Sequence, residues 1–291
     1  MSRKIVQVII LVMCLGVIGT AYFFLLANYR QESKKAVLHF SPLNPGRADC
    51  VRVTANIASL DPVKGEAVLR LQFEPQHSLL DKEDVLINAV TVYTNSTSGK
   101  SEITYKKGES MQPLDVNMFL QGDSSQFPWD RYTGLLWVCI ASQKGIDGKL
   151  SSWSAVPFSL DLKTGITGFK IEANEIKQKD RSFSTAEIAF KVERSNSSRG
   201  FSVFIMVLIG LLTLAAFLAG FAVIVGGRKI EMSMLGWLGG MLFALLPLRN
   251  AMPGAPPIGC LADYMSFFWA EAITAATLIA IALTWVFRKH S

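Results

Sequence analysis

Arg249, Asp263 and Glu271 are charged residues in a segment that is otherwise apolar and proline-rich. Their chemistry is that of an ion pair, of a ligand site, or of a charged constriction through which ions pass. Asn250 adds an amide beside Arg249, and Trp269 adds an aromatic ring of the kind that settles at a membrane surface. Glu271 falls within an apolar run of membrane-spanning length, and an acid at such a place is a functional candidate by default. The expected partner of Glu271 is Arg249, across the connector. The structural reading is an ion pair that snorkels to the interface and fixes a helix hairpin. The functional readings are ligand binding, ion passage or coupling to another part of the chain. A second cluster, Phe127, Pro128, Trp129, Asp130, Arg131 and Tyr132, joins a rigid proline and aromatics to an adjacent acid and base. It predicts a structured corner in which Asp130 accepts from neighbouring amides and Arg131 lies on an aromatic face.

Little else in the chain points to chemistry. There is no glycine-rich phosphate loop and no nucleophile elbow, and Asp81, Glu83 and Asp84 read as a solvated turn. His39, His77 and His290 show no ligand spacing, so no metal, cofactor or enzymatic activity is expected. Cys50 and Cys139 suit either a bridge pinning a first strand to a late one or two buried thiols. Cys14 lies in an apolar stretch and Cys260 in the connector. Asn95 and Asn196 open glycosylation triplets, which matter only in a eukaryotic source.

The elements that must position these residues follow from charge. The chain of 291 residues is 50% hydrophobic and only 18% charged, with a net charge of +6. Four stretches, residues 5–27, 201–227, 232–248 and 264–287, hold one charge between them, Glu271. Crossing about 30 Å of hydrocarbon takes about 20 apolar residues, so the first, second and fourth are long enough to span. The third is at the short limit, and Gly236, Gly239 and Gly240 predict a tilted, tightly packed helix. Basic pairs lie at Arg3 and Lys4, Arg228 and Lys229, and Arg288 and Lys289. Under the positive-inside rule residues 1–4, the 227–231 turn and residues 288–291 are cytoplasmic, and residues 28–200 and the connector 249–263 face outward. Residues 5–27 read as an uncleaved anchor, since the run is longer than a signal peptide's apolar core and offers Leu25 and Ala27 where two small residues are wanted. The excess of positive charge therefore reports orientation, and no nucleic-acid partner is expected.

In residues 28–200 the apolar period falls to two. Val51, Val53, Ala55 and Ile57 alternate with polar residues, as do Leu69, Leu71 and Phe73, and Val116, Met118 and Leu120. Further apolar or β-branched runs lie at 85–93, 135–141, 156–162, 169–172 and 188–192, separated by proline and glycine breakers. Eight or nine short strands of this kind predict an antiparallel β-sandwich. The expected fold is thus membrane α+β, with an extracytoplasmic sandwich between the first and second of four transmembrane helices.

Pro247, Leu248, Arg249 and Asn250, then Pro253, Gly254, Pro256, Pro257, Gly259 and Asp263, then Phe267 to Glu271, together with Phe127 to Tyr132, resemble the multi-pass membrane family catalogued as domain of unknown function family 4436. The resemblance runs from about residue 36 onward, and the proline-rich connector is its most specific part. It implies an integral membrane protein and brings no catalytic residue. Trp129 departs from the phenylalanine such a family would place there. The sandwich, the Phe-Pro-aromatic-Asp segment and the four helices are also similar to pentameric ligand-gated channels. Those channels, however, carry all four helices after the sandwich, and no pore-lining helix with a polar face is evident here. The expected role is a non-enzymatic, membrane-anchored binding or scaffold protein in the cell membrane. Its partners are the lipid bilayer and a membrane protein or a second copy of itself. A channel or transporter component with Arg249, Asp263 and Glu271 at an outer constriction is the alternative.

Overall fold

The computed structural model describes residues 16, 19, 20, 23, 26, 27, 37–40, 50–97, 99, 101–146, 149–176 and 185–287. Most of the first apolar stretch, the basic residues at 3, 4, 288 and 289, Cys14 and His290 lie outside the described residues. The chain divides into two compact units. One is a sheet unit of Gln31–Asp123 and Arg131–Glu193; the other is a helix unit of Met1–Arg30, Ser124–Asp130 and Arg194–Ser291.

The sheet unit is built from β1 (Val37–Phe40), β2 (Val51–Asp61), β3 (Glu66–Pro75), β4 (Val90–Thr94), β5 (Glu102–Tyr105), β6 (Leu114–Gly122), β7 (Arg131–Ile146), β8 (Lys149–Ala155), β9 (Phe158–Lys163), β10 (Phe169–Glu175) and β11 (Thr185–Arg194). The period of two is realised as a buried face: Val51, Val53 and Ala55 of β2, Leu69, Leu71 and Phe73 of β3, and Val116, Met118 and Leu120 of β6 all enter one apolar core. The intervening residues Arg52, Arg70 and Asp115 stay outside, where Arg70 and Asp115 form a two-pronged pair at 2.8 and 2.9 Å.

Two features refine the expected antiparallel sandwich. The strands form one continuous sheet in the order β1-β9-β2-β3-β6-β7-β11-β10, with β4 and β8 also paired to β7, because β6 bonds to both β3 and β7. The sheet is also mixed, since β9 runs parallel to β2 with Val51 opposite Phe158. A parallel neighbour needs a long crossover, and the strands between β2 and β9 supply it. β8 is absent from the expected strands because its Lys-Leu-Ser-Ser-Trp-Ser-Ala sequence is serine-rich and lacks an apolar alternation.

The cysteine bridge is not formed: Cys50 and Cys139 are both free thiols. Cys50 leads into β2, whose neighbours are β3 and β9, whereas Cys139 lies in β7 opposite Tyr93 of β4 and Thr185 of β11. Burial holds the Cys139 thiol above its ordinary pKa, so its thiolate is scarce. A thiol reagent at about pH 8 is therefore expected to label Cys50 in the folded protein well before Cys139, and both after unfolding without reductant. Failure of both to label after unfolding would restore the bridge. Asn95 is committed as well: its amide donates to Leu135 O at 2.7 Å and its Oδ1 accepts from Trp137 N at 2.9 Å. Its side chain is thus bonded into the sheet.

The helix unit contains α1 (Asn196–Ile224), α2 (Met232–Asn250) and α3 (Phe268–Phe287), the last preceded by one π-helical turn at Asp263–Phe267. All three are long and apolar enough to cross a membrane, at 29, 19 and, with the π turn, 25 residues. α1 starts before the expected boundary at residue 200 because Ser195 caps it, its Oγ accepting from Ser198 N at 3.2 Å. Asn196 is the first residue of that helix and is exposed. Val207, Leu211, Leu218 and Phe221 of α1 are each more than half exposed, a surface that water would penalise and a lipid chain would not. α1 and α3 approach closely at Gly220, where an added Cβ would collide with Thr277. The close packing expected of Gly236, Gly239 and Gly240 is not found: each has open space where a side chain would go. α2 instead packs through Leu238 and Leu245.

Candidate functional site

The candidate residues 127–130 and 249–263 both fall in the helix unit, and the structure brings them together. The physical problem at this place is a surplus of acceptors. Proline has no N–H, so a connector with Pro253, Pro256 and Pro257 presents carbonyls that its own amides do not balance. Arginine, with five donors and no acceptor, is the complement.

Arg249 is almost fully buried near the end of α2, and all five of its N–H directions find an acceptor. Nε donates to Asp263 Oδ1 and Nη2 to Asp263 Oδ2, both at 2.7 Å. Nη1 donates to Pro256 O and Nη2 to Pro257 O, each at 2.9 Å. Nη1 also reaches Asn250 Oδ1 at 3.4 Å. Asp263 has no exposed surface, and its Oδ2 accepts a further bond from Gly259 N at 2.8 Å. A two-pronged pair of this kind is neutral overall and fully hydrogen-bonded, the condition under which a buried ion pair is tolerated.

A second buried pair stands beside another part of the same connector. Arg194, the last residue of β11, donates from Nε to both oxygens of Asp130, at 3.2 and 3.0 Å, and from Nη1 to Pro253 O at 3.3 Å. Its guanidinium lies 4.9 Å from the centre of the Phe127 ring. Phe127 is fully buried among Ile205, Met252, Ala262 and Phe267, and its carbonyl accepts from Ala262 N at 3.2 Å. The 127–130 corner and the connector are therefore one structure, held by Arg194, by a backbone bond and by apolar packing.

Several expectations are corrected here. Arg249 pairs with Asp263, not with Glu271. Asp263 opens the π turn directly below the guanidinium, whereas Glu271 lies eight residues on, about 12 Å along a helix. Glu271 is half-buried and has no hydrogen-bond or ion-pair partner among the described residues. The cation over the aromatic ring is Arg194, not Arg131. Arg131 is at the surface, paired with Glu193 at 3.3 Å. Trp129 and Trp269 are exposed, at 43% and 66%. Sequence reasoning missed Arg194 altogether. The available signal was its place directly before the Ser195 cap, where strand gives way to helix.

Gly254 shows how tightly the connector fits. Its φ is +77°, and a Cβ there would come within 2.6 Å of Arg194 Nη1. Gly254→Ala is expected to cost about 2 kcal/mol from the left-handed backbone and the displaced guanidinium together, read as a lowered melting temperature in detergent. An unchanged melting temperature would show that the connector is looser than this geometry.

The arrangement acts as a clamp. Every donor of Arg249 is used inside the protein, and Asp263 is closed by Arg249 and Gly259. Among the described residues no group of three His, Cys, Asp or Glu is placed to hold a metal ion. The family model described as Domain of unknown function (DUF4436) matches residues 42–193. A second, described as Domain of unknown function (DUF8686), matches residues 194–288. The junction of the two matches is the residue at which the chain passes from the sheet unit into the helix unit. The proline-rich connector thus belongs to the second match, and the first ends well short of the extent expected from the connector's resemblance. No curated protein matches the chain.

Proposed function

We propose, from the premise that the chain belongs to the family described as Domain of unknown function (DUF4436), that it is a non-enzymatic, membrane-anchored binding or scaffold protein. In this reading four helices cross the cell membrane, with residues 5–27 as the first and α1, α2 and α3 as the others. Both termini are cytoplasmic, and the sheet unit faces outward as a sandwich-like recognition domain. The basic pairs at 3 and 4, 228 and 229, and 288 and 289 support this orientation.

The observation that carries the reading is the closure of both arginine pairs. Arg249 and Asp263 spend their hydrogen bonds on each other and on the connector, which suits a rigid platform better than a polar passage. Partner binding then falls to the sheet unit, and the bundle holds that unit at the bilayer. The lipid bilayer is one partner; a second membrane protein or a second copy of the chain is the other.

A channel or transporter component is the second reading, and the unpartnered Glu271 is the observation in its favour. Chemical crosslinking of the full chain in its native membrane, followed by mass spectrometry, tests the first reading. Crosslinks from residues 28–200 to one stable membrane protein or to a second copy are expected. Recovery of uncrosslinked monomer alone would count against a scaffold.

A further inference from the structure

A groove runs along the helix unit between α1 and α3. Its first part, about 390 Å³, is lined by Met206, Gly210 and Thr213 of α1 and by Met265, Trp269 and Ile273 of the facing segment. Its second part, about 310 Å³, shares Phe217 and Ile273 with the first and continues to Val225 and Ala280. α2 supplies no residue to either part. From Met206 to Val225 the groove is roughly 28 Å long at the helical rise, close to the thickness of a hydrocarbon core.

Its hydroxyls make no demand on an occupant. The hydroxyls of Thr213, Ser266 and Thr277 are bonded to the carbonyls four residues back in their own helices, at 2.9, 2.8 and 2.7 Å. What remains is an apolar trough with small residues at Gly210, Ala276 and Ala280 and with Phe217 and Leu214 standing half exposed above it. Such a shape admits a helix backbone at close range.

The chain has one apolar stretch outside the three helices, residues 5–27, and it is of spanning length. Its described residues, Gly16, Gly19, Thr20, Phe23, Leu26 and Ala27, are spaced by three and four and so share one helical face. That face is exposed, and no heavy atom lies within 4 Å of a Cβ placed on Gly16 or Gly19. Residues 28–195 contain no apolar run long enough to cross a bilayer, so Ala27 and the start of α1 lie on the same side of it. The stretch must then run antiparallel to α1. With Ala27 level with Met206, Phe23 comes opposite Gly210, Gly19 opposite Leu214, and Gly16 opposite Phe217. Large meets small at all three levels.

We propose that the groove between α1 and α3 is the docking site of the chain's own residues 5–27, which complete a four-helix bundle there. The proposal rests on the four-span topology given above and adds the place and register of the first span.

Paired cysteines test it in the full-length protein, in native membranes, with Cys14, Cys50, Cys139 and Cys260 changed to Ser. Gly16→Cys with Phe217→Cys, and Phe23→Cys with Gly210→Cys, are expected to close to an intramolecular disulfide on mild oxidation. The mismatched pair Gly16→Cys with Gly210→Cys, roughly 10 Å out of level, is expected to close about tenfold less. If one matched pair fails to fold, the other decides. Disulfides only at twice the chain's mass would assign the groove to a second copy and overturn the proposal, as would the absence of any disulfide from a folded matched pair. A reporter fused after Ser291 separates the two readings: found in the cytoplasm without a crosslink, it overturns the docking alone, and found outside it overturns the four-span topology.

Discussion

Asp263→Ala is expected to lower the unfolding free energy by about 3–5 kcal/mol, because it strands a charged guanidinium in a site from which water is excluded. Arg249 would keep the carbonyls of Pro256 and Pro257 and lose both of its charged acceptors. Arg249→Ala is expected to be as damaging, since it strands the Asp263 carboxylate and also leaves two connector carbonyls without donors, at about 1–3 kcal/mol each. Arg249→Lys should rescue little, because one ammonium cannot span a carboxylate and two carbonyls in the plane that the guanidinium fills. The double variant Arg249→Met with Asp263→Leu is expected to recover part of the loss by removing both charges. Denaturant unfolding in detergent reads all four. A double variant less stable than either single would mean that the pair's worth lies in something other than mutual neutralisation.

The second large effect is expected at Asp130. Asp130→Ala removes the carboxylate from Arg194 while leaving Pro253 O and the Phe127 ring, so the loss should be about 3 kcal/mol, at the lower end for a buried pair. Asp130→Ala and Gly254→Ala both act through the Arg194 guanidinium, so their effects should be less than additive in the same unfolding measurement. Strict additivity would place Gly254 outside the clamp. By contrast Arg131→Ala, which breaks only a surface pair with Glu193, should change stability by less than about 1 kcal/mol.

Reading forward from residues succeeded where a local period decides the outcome. Val51, Val53 and Ala55 face the core because a strand turns every second side chain the same way. Residues 201–227, 232–248 and 264–287 contain helices because an apolar run of that length with at most one charge has few other stable states. Asp130, Arg249 and Asp263 were legible as important because charges beside apolar runs need partners. Which partner each would take was not legible. Arg194 and Asp130 are 64 residues apart in sequence, and no spacing rule connects the end of a strand to a corner before another. The connector was a harder case. Its prolines announce irregular backbone, but the side chain that an irregular backbone presents to a guanidinium depends on where each turn falls. Asp263, at the start of the π turn, takes both prongs of Arg249, and Glu271, eight residues further along the helix, is left aside. The parallel pairing of β9 with β2 was hidden for a related reason, since alternation reports a buried face and carries no strand direction.

The clamp has a functional corollary. A passage for ions needs polar groups that exchange their partners as the ion moves, and Arg249 and Asp263 have none to spare. Glu271 is the one acid in the helices that is not already engaged among the described residues, so a conduit would depend on it. The most direct measurement is ion flux into liposomes holding the purified full chain, wild type against Glu271→Gln. The scaffold account predicts that neither protein raises flux above that of empty liposomes. A protein-dependent flux that Glu271→Gln abolishes would contradict it.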